Sequence, residues 1–536
     1  MPEETVLGCR TLTAPMDTTP TPDPHSLDDD VRLLRSMGYT QELARSMSGF
    51  SNFALSFSII CILAGGITTF QAALSAGGGA SIGIGWPVGA VFSLIVAAAM
   101  AQISSSYPTS GGLYHWGSIL GGKGYGWTTA WFNLLGLIFV VASVNFGVYD
   151  PFFKSFVAPL LGVTPETMAS PVLKLGRFEL NLFQTGFIAA ITASQAILNH
   201  AGIRITTRLT DLSGYLIFAV AIALTTSLLF FAKTRPELSR LVTFTNLTGE
   251  KGGFWPSRIE SPTLAFLSGL LLTVYTITGF DASAHTSEET HDAARNVPRG
   301  ILRSVIWSVL FGYLMVSTFV VVMPSIPEGV KQGQGFIDEL LGTMPRGLKV
   351  AIGVGLFVAN YLCGLACLTS ASRMMFAFAR DGGLPASRAL RQVHARFRTP
   401  VTAIWVSGLL AFVATLYGDA FSVLAAGSAV FLYISYVMPV TAGILAEGRT
   451  WTTKGPFDLG AWSKPLAGLA TIGGAILVFV GVQPPNEKVL YLTLALGVVM
   501  LVFWWVLGER HRFKGPPAGD AGGRSTCLRT SPPAAP

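Results

Sequence analysis

Residues 261–280 contain no Asp, Glu, Lys or Arg, and Asp281, His285, Glu288 and Glu289 follow at once. These side chains hold and pass protons or pair with cations. A carboxylate partly withdrawn from water binds its proton more tightly and can exchange it within a working cycle; ionised, it can hold an ammonium group. If the chain continues as a helix past Asp281, His285 and Glu288 lie one and two turns further along the same face. Glu289 is then turned about 100° away. Three uses stay open for this group: an inner gate of charge pairs, a proton path, or surface salt bridges to Arg373 and Arg380. Thr278 and Gly279, both poor helix formers, stand just before the carboxylate. Asp281 therefore marks either the end of an ordinary span or a break inside one.

The elements that must position these residues are membrane helices. Of the 536 residues, 51% are hydrophobic and only 12% charged, about half the charged share of a soluble domain. Twelve runs free of Asp, Glu, Lys and Arg fall at 50–76, 86–106, 127–149, 180–199, 212–232, 261–280, 304–327, 350–372, 399–418, 420–446, 465–486 and 489–508. Each is close to the roughly 20 residues that a helix needs to cross a bilayer. This predicts an all-α polytopic membrane protein of about 12 transmembrane helices, spans 1 to 12. Runs of this length are too long for the strands of a β-barrel. Residues 1–48 read as a cytosolic tail, with an amphipathic surface helix over 31–48, and residues 509–536 as a second, disordered tail. With the N-terminus inside, 24 of the 36 Lys and Arg fall on the cytosolic side, the expected bias for a protein with both termini in the cytosol. The net charge of +7 then reflects topology and gives no reason to invoke nucleic acid. Cys363 and Cys367 share a helix face, but no His or carboxylate accompanies them, so they read as packed apolar residues.

If the first ten spans are two sets of five, the odd number turns the second set upside down. That is the inverted repeat of many carriers, whose substrate site lies where the first helix of each set is broken. The sets would be 49–232 and 261–446, with 465–508 as a peripheral pair. Both first helices carry breakers: Gly65 and Gly66, followed by Ile67, Thr68 and Thr69, in span 1, and Thr278 and Gly279 in span 6. Broken helices leave N–H and C=O groups that lipid cannot satisfy, whereas a zwitterionic solute can.

Three stretches carry a resemblance: "GYTQELARSMSGFSNFALSFSI" (38–59), "SSYPTSGGLYHW" (105–116), and "GFDASAHTSEET" (279–290) with "PRGI" (298–301) and "ASRMMFAFARDGGLP" (371–385) behind it. Together they resemble the amino acid–polyamine–organocation permeases. More closely they resemble the amino acid/choline transporter branch, with its GABA and choline permeases and plant bidirectional amino acid transporters. The resemblance spans about 30–510 and leaves only the tails unassigned. It implies a LeuT-like fold at the plasma membrane. Such a carrier moves an amino acid or related amine, GABA-like, neutral or cationic, by alternating access, with a proton as coupling ion ahead of sodium. Choline or polyamine transport, and sodium-coupled or exchange variants, are the alternatives.

Carried onto this chain, the resemblance places the substrate between Ala64, Gly65, Gly66 and Ile67 of span 1 and Thr278, Gly279, Phe280 and Asp281 of span 6. Tyr275 would close the site from outside, Phe280 would be its wall, and Asp281, His285 and Glu288 would serve gating or proton coupling. Thr369 and Ser370 of span 8 are weak sodium candidates. The Lys that some proton-coupled relatives carry within span 5 is missing from 212–232. "YPTSGGLYHW" reads as a tight turn that supports the moving helices, and His115 and His200 as interfacial residues. No enzyme and no cofactor are expected: the spans offer one aspartate where aspartyl proteolysis needs two, and "HTSEETH" (285–291) lacks the His-Glu-x-x-His spacing. A channel would normally show pore-lining charges or repeated filter loops.

Overall fold

The computed structural model describes residues 24–517, apart from 170, 176, 177, 417–419 and 485. The tail over 1–23 and the end of the chain from 518 lie outside the described residues, as do the expectations that fall on them. A helix forms over every one of the twelve apolar runs. Among the described residues nine helices are long and apolar enough to cross a membrane; Pro262–Thr276 and Val401–Ala414 are shorter. The fold is all-α apart from a two-stranded antiparallel hairpin, Val172–Leu175 with Phe178–Asn181, just before span 4. The Asn181 side chain then accepts the Gln184 N–H and starts that span, a helix cap of the usual kind.

Burial ranks the spans by depth in the bundle. In span 1, 94% of the most apolar window of Gly49–Thr68 is buried inside the protein, against 33% for Gly460–Gly481 (span 11) and 17% for Glu487–Val506 (span 12). Span 1 is thus the axis, and spans 11 and 12 face outward. Spans 3 and 10 pack together, as do spans 2 and 7, and span 1 is held between spans 5, 7 and 8.

Spans 1 and 6 are each built in three helical pieces. Span 1 runs Gly49–Ile60, Ile62–Thr68 and Phe70–Gly77; span 6 runs Pro262–Gly269, Leu271–Thr276 and Ala282–His285. They lie antiparallel. Asn52 Nδ2 donates to Thr290 Oγ1 at 3.0 Å and Ser56 Oγ to the Phe280 carbonyl at 3.1 Å. Further along, Ile59 meets Gly279 and Gly65 meets Thr276.

The N-terminal segment departs from expectation. A helix covers Pro24–Ser36, not 31–48, and Gly38 ends it with φ 84°, a conformation that glycine accepts at no steric cost. The chain from 37 to 48 is irregular, and Met37, Tyr39, Leu43 and Met47 are buried against protein rather than lying on a surface. Its polar groups explain why. Ser46 and Met47 N–H both donate to the Glu289 carbonyl, at 2.9 and 2.8 Å, and His291 N–H donates back to Met47 O at 3.0 Å. Asp30 accepts the N–H groups of Asp292 and Ala293, at 2.7 and 3.0 Å, where span 7 begins. The segment is a strap under the end of span 6.

Candidate functional site

Span 1 is interrupted at Cys61, whose φ of 19° and ψ of 84° belong to neither helix. The sequence pointed instead to 64–67. Ala64, Gly65, Gly66 and Ile67 lie inside the helix Ile62–Thr68, and the N–H groups of Ala64 and Gly65 are bonded to Cys61 O at 2.8 and 3.1 Å. The glycine pair serves packing: a Cβ on Gly65 would stand 2.9 Å from Thr276 Oγ1, and one on Gly66 3.0 Å from Met315 Cε. Small residues that let membrane helices approach look the same in sequence as residues that break them. The first N–H groups of a helix have no intrahelical acceptor, and Cys61 supplies no side-chain cap. The N–H groups that the break leaves without a backbone acceptor are those of Ile62 and Leu63, the latter directed at the Cys61 sulfur.

Span 6 is interrupted where the sequence indicated. The helix ends at Thr276 and resumes at Ala282, with Gly279 between them at φ 97°. A Cβ on Gly279 would stand 2.1 Å from Ile59 Cγ2, so both backbone and space demand glycine. The freed groups find partners: Gly279 N–H donates to Tyr436 Oη at 3.1 Å, and Thr278 Oγ1 to Tyr275 O at 2.5 Å. Phe280 is fully buried, its ring 4.9 Å from that of Tyr436. Asp281, also fully buried, collects three groups. Tyr436 Oη donates to its Oδ1 at 2.8 Å, and Asn133 Nδ2 to its Oδ2 at 3.1 Å. His285 Nε2 lies 3.1 Å from the same Oδ2. Asp281 thus sits inside the bundle, between the helix that stops at Thr276 and the short one that resumes at Ala282.

On the side away from the N-terminal helix, Tyr275 shares a hydroxyl hydrogen bond of 2.9 Å with Ser143. It lines a narrow cleft of about 30 Å³ with Thr69, Ala72 and Trp255. Trp255 closes over it, its indole N–H on Ala72 O at 2.8 Å. On the opposite side the bundle is sealed by charge. Arg380 grips both oxygens of Glu288, at 3.0 and 3.1 Å, and Ser110 N–H adds to Oε1 at 3.0 Å. Arg373 pairs with Glu289 at 3.1 Å, neither exposed at all. Asp381 accepts the hydroxyls of Tyr39 and Tyr114, at 2.7 and 2.9 Å. These are interior pairs, so the reading as surface salt bridges is corrected.

Thr369 Oγ1 donates to Leu365 O at 2.9 Å and lies 2.8 Å from Asn199 Oδ1; Ser370 Oγ is buried with no protein partner among the described residues. Cys363 Sγ lies 3.4 Å from Ile59 O, the carbonyl just before the break. His115 is not interfacial but fully buried, and burial, helped by Arg380, pushes its pKa down to about 3. His200 is half-buried, accepting the Trp405 indole N–H at 3.2 Å. Cys61, Ser110, Asn133 and Tyr436 were missed. Asn133 and Tyr436 had a signal, since each is a polar group inside an apolar run.

A helical bundle with two interrupted, antiparallel spans at its centre and a buried charge seal at one end defines an integral, multi-pass membrane permease. The comparisons give its family. Residues 47–505 match the amino acid permease family, and the chain belongs to it. It is similar to amino-acid permease BAT1 of Arabidopsis thaliana, 34% identical over 90% of this chain and 95% of that one. To the BAT1 homolog of Oryza sativa it is 33% identical, over 90% and 94%. To the GABA-specific permease of Saccharomyces cerevisiae it is 28% identical, over 86% and 79%. The protein is a transporter and not an enzyme.

Proposed function

We propose that this permease is a secondary active transporter that moves an amino acid by alternating access, driven by a proton gradient across the plasma membrane. One observation carries the reading: two spans interrupted side by side, at Cys61 and at 277–281, within one antiparallel pair. The Ile62 and Leu63 N–H groups, at the positive end of a helix, suit a substrate carboxylate. Ala64, Gly65, Gly66 and Ile67 form the turn behind them, Phe280 is the wall and Tyr275 the outer cover. Residues 49–232 and 261–446 act as the two inverted repeats, and 465–508 as the peripheral pair. The N-terminal strap and the Glu288–Arg380 seal then lie at the cytosolic end, in keeping with the excess of Lys and Arg there. A fully buried Asp281 beside His285 supports a proton as the driving ion.

The test is uptake into proteoliposomes of labelled GABA, L-alanine, L-arginine, choline and putrescine, with pH and sodium gradients imposed separately. Saturable uptake of an amino acid with counterflow, stimulated by an inside-alkaline gradient, is expected. Uptake confined to choline or putrescine, or flux linear in concentration, would overturn the reading.

A further inference from the structure

The hydrogen bonds around Asp281 leave a hydrogen to be placed. Tyr436 Oη receives the Gly279 N–H, so its own hydrogen points to Asp281 Oδ1. Asn133 brings an N–H to Oδ2. On the far side of the imidazole, His285 Nδ1 lies 3.3 Å from the Ser110 carbonyl. A carbonyl only accepts, so Nδ1 carries a hydrogen. Nε2 then faces Asp281 Oδ2 across 3.1 Å. That contact needs one more hydrogen, on either atom. With it the pair is neutral overall; without it a lone pair faces a carboxylate in a fully buried site, where no water relieves the conflict.

The same histidine is tied to the seal. Ser110 offers its carbonyl to His285 and its N–H to Glu288 Oε1, at 3.0 Å, the oxygen that Arg380 also holds. The backbone of one residue, through its two flanking peptide groups, thus joins the proton-bearing pair to the charge pair that shuts the bundle. Gly112 leaves the ring its place, since a Cβ there would stand 3.1 Å from Nδ1. Arg373 pairs with Glu289, while Arg380 pairs with Glu288 and also reaches Asp381 at 3.9 Å, so one guanidinium serves two carboxylates; Asp381 accepts two tyrosine hydroxyls besides. Tyr436 faces the carboxylate from span 10 as a donor, and His115, toward the seal, is neutral.

We infer that the transported proton is the one shared between His285 and Asp281, and that the Ser110 backbone transmits its loss to the Glu288–Arg380 seal. The inference rests on the transport reading above. The proton enters from the outer water, bridges Nε2 and Oδ2 while the seal is shut, and leaves to the inner water when it opens. One proton moves with each zwitterion, and no covalent bond is made or broken in the substrate. Coupling is reciprocal: if the shared proton stabilises the closed seal, the closed seal holds the proton.

The experiment compares the wild type with His285→Gln in proteoliposomes loaded with a pH dye. It measures exchange of labelled for unlabelled GABA and L-alanine without gradients, gradient-driven accumulation, and internal acidification. The expected result is a fall of at least tenfold in the ratio of accumulation to exchange, with acidification lost; a merely structural role would lower both together. A ratio within twofold of wild type overturns the inference and leaves the transport reading standing. If the variant does not fold, Tyr436→Phe serves instead. It withdraws a donor from the carboxylate and should shift the pH profile of accumulation to higher pH, and an unmoved profile overturns the inference. A wild type that exchanges amino acid without moving protons also overturns it, whereas a wild type that exchanges neither probe is a failure of the transport reading.

Discussion

Glu289 and Arg373 face each other across 3.1 Å with neither side chain exposed, so the end of span 6 is tied to span 8 by a charge pair that water does not reach. Such a pair is worth little against an apolar replacement, but removing one partner strands the other. Arg373 also donates to Asn199 Oδ1 at 3.3 Å, so its removal takes a donor from span 4 as well. Arg373→Met alone is expected to destabilise the detergent-solubilised protein by about 3–5 kcal/mol. The double change Glu289→Gln with Arg373→Met should recover most of that loss. Thermal unfolding of the four proteins in the cycle checks it, and additive losses would count against a shared pair.

Gly279 is the position at which a single methyl group should stop the protein. An alanine there must adopt φ 97° and place its Cβ 2.1 Å from Ile59 Cγ2. A left-handed residue costs about 1–2 kcal/mol and overpacking about 1–3 kcal/mol more. Gly279→Ala is expected to reduce amino acid uptake at least tenfold. Ile59→Ala, which removes the colliding methyl, should restore part of it, because the backbone strain remains. Uptake by Gly279→Ala close to wild type would show that the break can re-form around a side chain.

The architecture was legible in the sequence because lipid imposes one rule everywhere: a helix must run apolar for its whole crossing. Hence the twelve uncharged runs found their helices, and Asp281 announced the break in span 6 as a carboxylate where none is cheap. Gly65 and Gly66 misled for a physical reason. Glycine both loosens a helix and lets another approach, and only the neighbour, Thr276, tells the two apart. Cys61 carried no signal, since a thiol in an apolar run looks like any small buried residue. The strap was misread because its apolar residues recur at helical spacing, while what fixes them is the backbone of 289–291, which no local pattern reveals. "YPTSGG" was recognised, yet its contacts with His285 and Glu288 depend on residues nearly two hundred positions away.

The strap should hold less tightly as pH rises. Burial raises the pKa of Asp30 above its ordinary 3.8, and Arg45, 3.4 Å away, only partly opposes this. For an acid with a raised folded value the docked form binds the extra proton. Stability is then full below the free value and falls as pH climbs from 3.8 through the docked value. Proteolysis within 24–48 should therefore quicken across that window, and Asp30→Asn should flatten the dependence while keeping an acceptor for one of the two N–H groups. A pH dependence that survives Asp30→Asn would place the titrating group elsewhere.

Uptake should not need sodium. Thr369 Oγ1 acts only as a donor, to Leu365 O at 2.9 Å or Asn199 Oδ1 at 2.8 Å, and so keeps its lone pairs. Ser370 Oγ has no protein partner among the described residues, so span 8 could offer a sodium ion two of the several oxygens it needs. The proposed proton on Asp281 and His285 makes that ion dispensable. Replacing external sodium by potassium at fixed pH should therefore leave uptake within about twofold. Thr369→Val should cost about 1 kcal/mol of stability for the lost hydrogen bonding without altering the ion dependence. Uptake that collapses in potassium and in Thr369→Val alike would return the driving force to sodium, because a proton carried by His285 and Asp281 has no use for either.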